Sequence, residues 1–202
     1  MCGRVRLTQL HPEFVRQLGA EVRGAIPSSA NIKPTTPVCV LIDESGKRVL
    51  EPMQWGLIPA WAKDKKIGSR MFNARAETIA ERPSFRAAFQ NRRCGIVVDA
   101  FYEWAEVDGV RVPHAFRVVG QENFTLAGIW AEWRDPNGIV VRTCSIVTCA
   151  ANEQMPPYHD RMPVILDPPA LEAWIDPKTK PEQLHQIMVP YAGELVVERT
   201  TL

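Results

Sequence analysis

A chain of 202 residues, 46% of them apolar and 23% charged, is long and greasy enough to bury a real core. That mix excludes collagen-like, coiled-coil and wholly disordered chains, and no apolar run approaches the ~18–20 residues a membrane span needs. The net charge of +1 hides a split. Residues 1–100 carry 16 Lys+Arg against 9 Asp+Glu and residues 101–202 carry 8 against 14, so the first half suits either an anionic partner or an ordinary solvated face.

The chain begins Met1-Cys2-Gly3-Arg4-Val5-Arg6, without the basic-then-apolar layout of a secretory signal, which predicts a cytoplasmic protein. A side chain as small as Cys2 permits removal of Met1. Cys2 would then carry an α-amine, with a reference pKa of about 7.7–8.0, and a thiol near 8.5 on one carbon. Such an aminothiol can condense with an aldehyde, first as a Schiff base and then as a five-membered thiazolidine. It can equally serve as a nucleophile activated by its own amine. The bland alternative is a cysteine that happens to stand second.

Downstream, Pro12–Leu18 places Phe14, Val15 and Leu18 on one helical face, with Gly19 to end it. Strands are expected over Val38–Asp43 and Arg48–Met53. From Trp55 the sequence mixes aromatics with positive charge, through Trp61, Lys63, Lys65 and Lys66. That composition suits a single-strand nucleic-acid groove, with Trp61 the better stacking platform and Trp55 as readily a core residue. Ile58 to Arg70 reads as an exposed loop. In Phe72-Asn73-Ala74-Arg75-Ala76-Glu77-Thr78 the polar residues alternate with alanine, so an extended chain puts Asn73, Arg75 and Glu77 on one face, either as a site or as an edge strand with a salt bridge.

A helix is predicted over Pro83–Phe89 and strands over Gly95–Val98, Phe101–Val107, Val112–Val118, Phe124–Trp130 and Ile139–Thr148. Asp108-Gly109 and Pro136-Asn137-Gly138 are turn signals. Phe101-Tyr102-Glu103-Trp104 sets one carboxylate among aromatics; burial beside Phe101 would raise its pKa toward acid/base use, whereas a surface position would not. Tyr158-His159-Asp160-Arg161-Met162-Pro163 precedes an apolar strand at Val164–Leu166. His159 can move protons near neutral pH or be a loop histidine hydrogen-bonded to Asp160, and Arg161 can hold a phosphate. Helices at Pro169–Ile175 and Pro181–Met188 close the chain.

Of five cysteines, Cys39, Cys94, Cys144 and Cys149 sit in apolar frames and read as small buried hydrophobes. Neither they nor His11, His114, His159 and His185 have metal-ligand spacing, so no metal or other cofactor is expected. His11, His114 and His185 lack polar company. No repeat or linker interrupts the pattern, which predicts one α+β domain over 1–202 dominated by antiparallel sheet.

Ten segments in order resemble one family, the SRAP domain proteins that process abasic sites in DNA. They are Met1-Cys2-Gly3-Arg4, Asn31-x-x-Pro34-Thr35, Trp55–Pro59, Asn73–Thr78, Phe85-Arg86, Arg93-Cys94, Phe101–Trp104, Ala127–Trp130, Thr148-x-x-Ala151-Asn152 and His159–Pro163, covering roughly residues 1–176. The resemblance implies a partly barrel-like sheet and a covalent trap: Cys2, freed by loss of Met1, bonds the ring-opened aldehyde of an abasic sugar in single-stranded DNA as a thiazolidine. By position, Asn73 orients cysteine and sugar, Glu103 is the acid/base and His159 assists ring opening. Arg4, Arg75, Arg86 and Arg161 hold phosphates and Trp61 stacks nearby. Autoproteolytic or peptidase activity, lyase-like chemistry and a role in the SOS response to DNA damage are further implications, with a monomer bound to the nucleoid DNA. Lys33, Ala100 and Val97-Val98 depart from the family pattern. The rival readings are an N-terminal-nucleophile amidohydrolase, which needs an oxyanion hole but no basic loop, and a non-covalent binder of modified bases.

Overall fold

Short β-branched and aromatic runs, each closed by Pro, Gly, Asn or Asp, cannot bury a face alone and pair with segments far along the chain. The computed structural model describes residues 2–202. In chain order the elements are β1 (Val5–Leu7), α1 (Pro12–Leu18), β2 (Ala20–Val22), β3 (Ser29–Ile32), β4 (Pro37–Glu44), β5 (Lys47–Trp55) and β6 (Asn73–Arg75). Then come α2 (Arg86–Asn91), β7 (Arg93–Val98), β8 (Ala100–Val107), β9 (Val110–Val118), β10 (Phe124–Arg134) and β11 (Val140–Ala150). The chain finishes with β12 (Arg161–Pro163), β13 (Ile165–Leu166), α3 (Pro168–Ile175), α4 (Pro181–Ile187) and β14 (Leu195–Arg199). No helix among the described residues is long and apolar enough to cross a membrane.

The strands form two sheets. The smaller runs β14-β9-β8-β1-β3. The larger, β12-β11-β10-β7-β4-β5-β2, curls until β5 pairs in parallel with β11 through Gln54↔Thr143 and Trp55↔Cys144. That pairing closes β4, β5, β7, β10 and β11 into a five-stranded barrel. Closure removes sheet edges and leaves a tapered interior that side chains fill. Val40, Ile96, Leu126 and Ile146 share one face of the closed sheet and are fully buried, and Leu41, Leu50 and Ile129 are buried on the other face. Trp174 of α3 is buried with them, its Nε1–H shared between the carbonyls of Cys94 at 3.0 Å and Gly128 at 3.1 Å.

Most predicted elements recur with longer bounds, β5 and β10 above all, and the Asp108-Gly109 turn holds both residues at positive φ, 51° and 76°. The helix expected at Pro83–Phe89 begins instead at Arg86, because tight turns over 78–85 precede it. The loop from Ile58 to Arg70 ends in a 3-10 helix, Lys65–Arg70. Glycines dictate that loop's course: a Cβ on Gly56 would lie 2.5 Å from the Gly68 carbonyl oxygen, and one on Gly68 would lie 2.7 Å from that of Gly56. The unpredicted strands are short, and long-range pairing alone makes them.

Candidate functional site

The amino-terminal strand is pinned before it reaches the site. Asp99, buried at the corner between β7 and β8, accepts from Arg6 Nε and, at 2.6 Å each, from the Thr8 amide and hydroxyl. The Arg6 carbonyl accepts the Asp99 amide at 2.8 Å and the Arg4 carbonyl accepts the Tyr102 amide at 3.0 Å. β1 therefore lies against β8 with Cys2 directed at β6, where Asn73 Nδ2 donates to the Cys2 carbonyl at 2.7 Å. Asn73 is presented because β6 pairs with β11 in parallel, Asn73 opposite Ile146. The Asn73 Oδ1 is buried and accepts no hydrogen bond among the described residues, which leaves it for a ligand hydroxyl.

Cys2 is wholly buried, its thiol 3.6 Å from the Arg4 carbonyl. Burial first, and the negative charge of Glu103 second, push the thiol far above its ordinary range. Glu103 is itself buried, on the β8 face that carries Phe101, and burial raises its pKa to about 7. The chain thus sets a carboxyl that gains and loses its proton near neutrality beside the sulfur.

His159 stands on the loop before β12. Its Nδ1 accepts the Arg161 amide at 3.0 Å, which fixes the proton of the neutral ring on Nε2. The same nitrogen lies 2.6 Å from Asp160 Oδ1, a contact that becomes a donated hydrogen bond only when the ring is protonated. Both ring states therefore have a partner, while burial lowers the pKa and favours the neutral ring at pH 7.

Arg161, expected to meet a phosphate, turns inward. Its guanidinium forks onto Glu77 at 3.0 and 2.9 Å and donates to the Thr148 carbonyl at 2.7 Å. The salt bridge foreseen for the 72–78 segment is this one, and its arginine comes from β12 rather than from Arg75. Arg75 and Arg86 are exposed, and Arg4 is half-buried with its guanidinium on the Gly3 carbonyl at 2.9 Å. Trp61 is 61% exposed, whereas Trp55 is core, its Nε1–H on the Phe72 carbonyl. Trp61 and Arg86 line one open groove.

Cys2, Asn73, Glu103 and His159 are thus gathered from the amino terminus, β6, β8 and the β11–β12 connection. Three neighbours were missed in the sequence. His114 lies across from Glu103 in the β8–β9 ladder and packs against Tyr158, ring centroids 4.8 Å apart. Arg111 of β9 carries a positive charge felt by both Glu103 and His159. Asp99 anchors the strand that delivers Cys2; a lone acid between two apolar strands was the available clue. Among the described residues no His, Cys, Asp and Glu cluster is arranged to hold a metal. Removal of Met1 concerns a residue outside those described.

The family model described as SOS response associated peptidase (SRAP) matches residues 1–200. "Abasic site processing protein YoqW" of Bacillus subtilis (strain 168) is 38% identical over 199 residues, covering 96% of this chain and 89% of that one. "Abasic site processing protein HMCES" of Xenopus tropicalis is 31% identical over 156 residues, covering 66% of this chain and 47% of that one. Among solved structures, a Bacteroides thetaiotaomicron protein superposes with a TM-score of 0.91 at 22% identity, covering 99% and 92% of the two chains. A Bordetella bronchiseptica protein does so at 0.82 with 25% identity, covering all of both.

Proposed function

The chain belongs to the SRAP family, and on that premise we propose that it processes abasic sites in single-stranded DNA by trapping the sugar aldehyde on Cys2. The observation that carries this reading is the placement of Cys2 beside Glu103, its carbonyl held by Asn73. While residue 1 is attached, the Cys2 nitrogen is an amide and cannot form an imine, and the sulfur is sealed. Loss of Met1, by self-cleavage or an aminopeptidase, converts that nitrogen to an amine and starts the chemistry.

His159 donates a hydrogen bond from Nε2–H to the sugar's ring oxygen, and as that C–O bond breaks water carries the anomeric hydroxyl proton to it, which opens the ring to the aldehyde. The Cys2 amine adds to that carbonyl, and Glu103 protonates the resulting hydroxyl so that water leaves and an imine remains. The carboxylate then accepts the thiol proton, the sulfur attacks the imine carbon, and the nitrogen takes up a proton to complete the thiazolidine. One water is released overall. Asn73 Oδ1 accepts from a sugar hydroxyl, and Arg4, Arg75 and Arg86 meet flanking phosphates, contacts that are indifferent to base sequence. Arg161 braces the His159 loop. Burial of the linkage keeps water and strand-cleaving amines away.

The test is a denaturing gel of the Met1-free protein with a uracil-glycosylase-treated oligonucleotide. A slow-migrating band that vanishes in Cys2→Ala is expected. No band from the wild type, or turnover of a small amide in its place, overturns the reading in favour of an amidohydrolase.

A further inference from the structure

The groove that holds Trp61 and Arg86 also carries an arginine with no part in the trap, Arg92. It measures about 710 Å³ and runs between the Pro59–Trp61 loop on one side and α2 with Trp130 on the other. Its cations are Arg86 and Arg92, and no carboxylate lines it.

Adjacent arginines diverge at this groove. Arg93 turns into the core, donating to the carbonyls of Trp174, Phe89, Gln90 and Asp176. Arg92 turns out, its guanidinium 5.1 Å from the Trp130 ring centroid, and its carbonyl accepts the Trp130 amide at 2.8 Å. Backbone and ring together hold that cation in place before any ligand arrives. No carboxylate among the described residues pairs with it, in contrast to Arg142, 5.2 Å from the same ring and spent on Glu44, Glu51 and Glu132. An anion reaching Arg92 therefore displaces no internal partner.

The groove is near the trap. Trp130 pairs with Cys144 on one edge of β11, and Asn73 pairs with Ile146 on the other. Two residues along the strand and two strand spacings across it put these backbones roughly 12 Å apart.

We propose that this groove is a docking slot for undamaged nucleotides flanking the lesion, an unpaired base lying on Trp61 and a phosphate on Arg92. The inference rests on the abasic-DNA reading of the Cys2 site. An exposed ring in one groove with a guanidinium that no carboxylate among the described residues pairs matches what a single strand offers, a base face and an anion, and asks nothing of base identity. It makes Arg92 a binding residue that takes no part in bond formation.

The test measures fluorescence anisotropy of a labelled, undamaged oligothymidylate of about ten nucleotides, within the span of a single-strand groove. Arg92→Glu should weaken binding tenfold or more at low salt. Arg92→Gln should weaken it several-fold and make the slope of log affinity against log salt shallower by about 0.7, one phosphate contact on a single strand. Arg134→Glu, four residues beyond Trp130 on β10, should bind as wild type. Wild-type affinity in both Arg92 variants, or equal loss in Arg134→Glu, overturns the slot. The two readings fail separately. Wild type that binds the oligothymidylate but forms no abasic adduct sinks the trap, and an adduct-forming protein indifferent to Arg92 sinks the slot.

Discussion

The carboxyl of Glu103 and the nitrogen of Asn73 each do something their neighbours in sequence do not prescribe. Burial raises Glu103 from an ordinary 4.5 to about 7, so the folded chain holds that proton more tightly than the unfolded one. Stability from this group is present below about 4.5 and is lost as pH rises through about 7, with a ceiling of roughly 3 kcal/mol by linkage. Urea denaturation should therefore show Glu103→Gln gaining on wild type between pH 5 and pH 7.5. Equal pH dependence in the two proteins would show that Glu103 is not held in this state. In the Met1-free protein the same variant should form adduct at least tenfold more slowly, since an amide neither gives nor takes the proton. Asn73→Ala should also slow capture, by about tenfold, by releasing the Cys2 carbonyl and removing a buried acceptor beside it; single-turnover gels measure both.

Among the elements, β12 and the 56–70 loop separate support from contact. Arg161 ties β12 to β11 and to Glu77, and Arg161→Ala removes the fork onto Glu77 and one of the two donors to the Thr148 carbonyl, which keeps the Ala76 amide at 2.8 Å. With Glu77 half exposed, the loss should fall below the ~3–5 kcal/mol of a fully buried pair, at about 2 kcal/mol, and appear as a lower Tm. The salt dependence of capture should stay as it was. Arg75→Ala should do the reverse, keeping Tm and removing about 0.7 from the salt slope. Gly68→Ala tests the close backbone crossing without any φ penalty. The Gly56 carbonyl has to move, at about 1–3 kcal/mol, and the loop that carries Trp61 moves with it. Thermal melts, with oligonucleotide anisotropy alongside, check that pair of effects.

At the scale of the whole molecule, barrel closure joins residues that no local rule connects. β5 and β6 flank β11 one after the other, so Trp55 is locked into the core while Asn73, eighteen residues later, is set before Cys2. The basic first half supplies Arg4, Arg75 and Arg86, and the acidic second half supplies Glu103 and Asp160. Association with a single strand should weaken with salt, its slope near −2 if those three arginines meet phosphates, at about 0.7 for each. A flat salt profile for wild-type capture would remove the phosphate contacts altogether. The outer strand β14 covers β9, whose His114 faces Glu103.

The amino-acid order by itself determined the long strands and the hairpin at Asp108-Gly109, because those depend on residue type and on spacing of one or two. Alternation in Phe101–Trp104 also announced that Glu103 shares a face with Phe101. The short strands β1, β3 and β12 carried no such mark, since three or four residues hold too little periodicity and are shaped by their partners, whereas the alternation over 72–78 did announce β6. The same limit hid Asp99 and His114, and it left open where the Arg161 guanidinium turns. Whether an arginine meets solvent or a glutamate is decided by which strands lie beside it. Only the tertiary structure, where the energy of a charge depends on its surroundings, makes that decision.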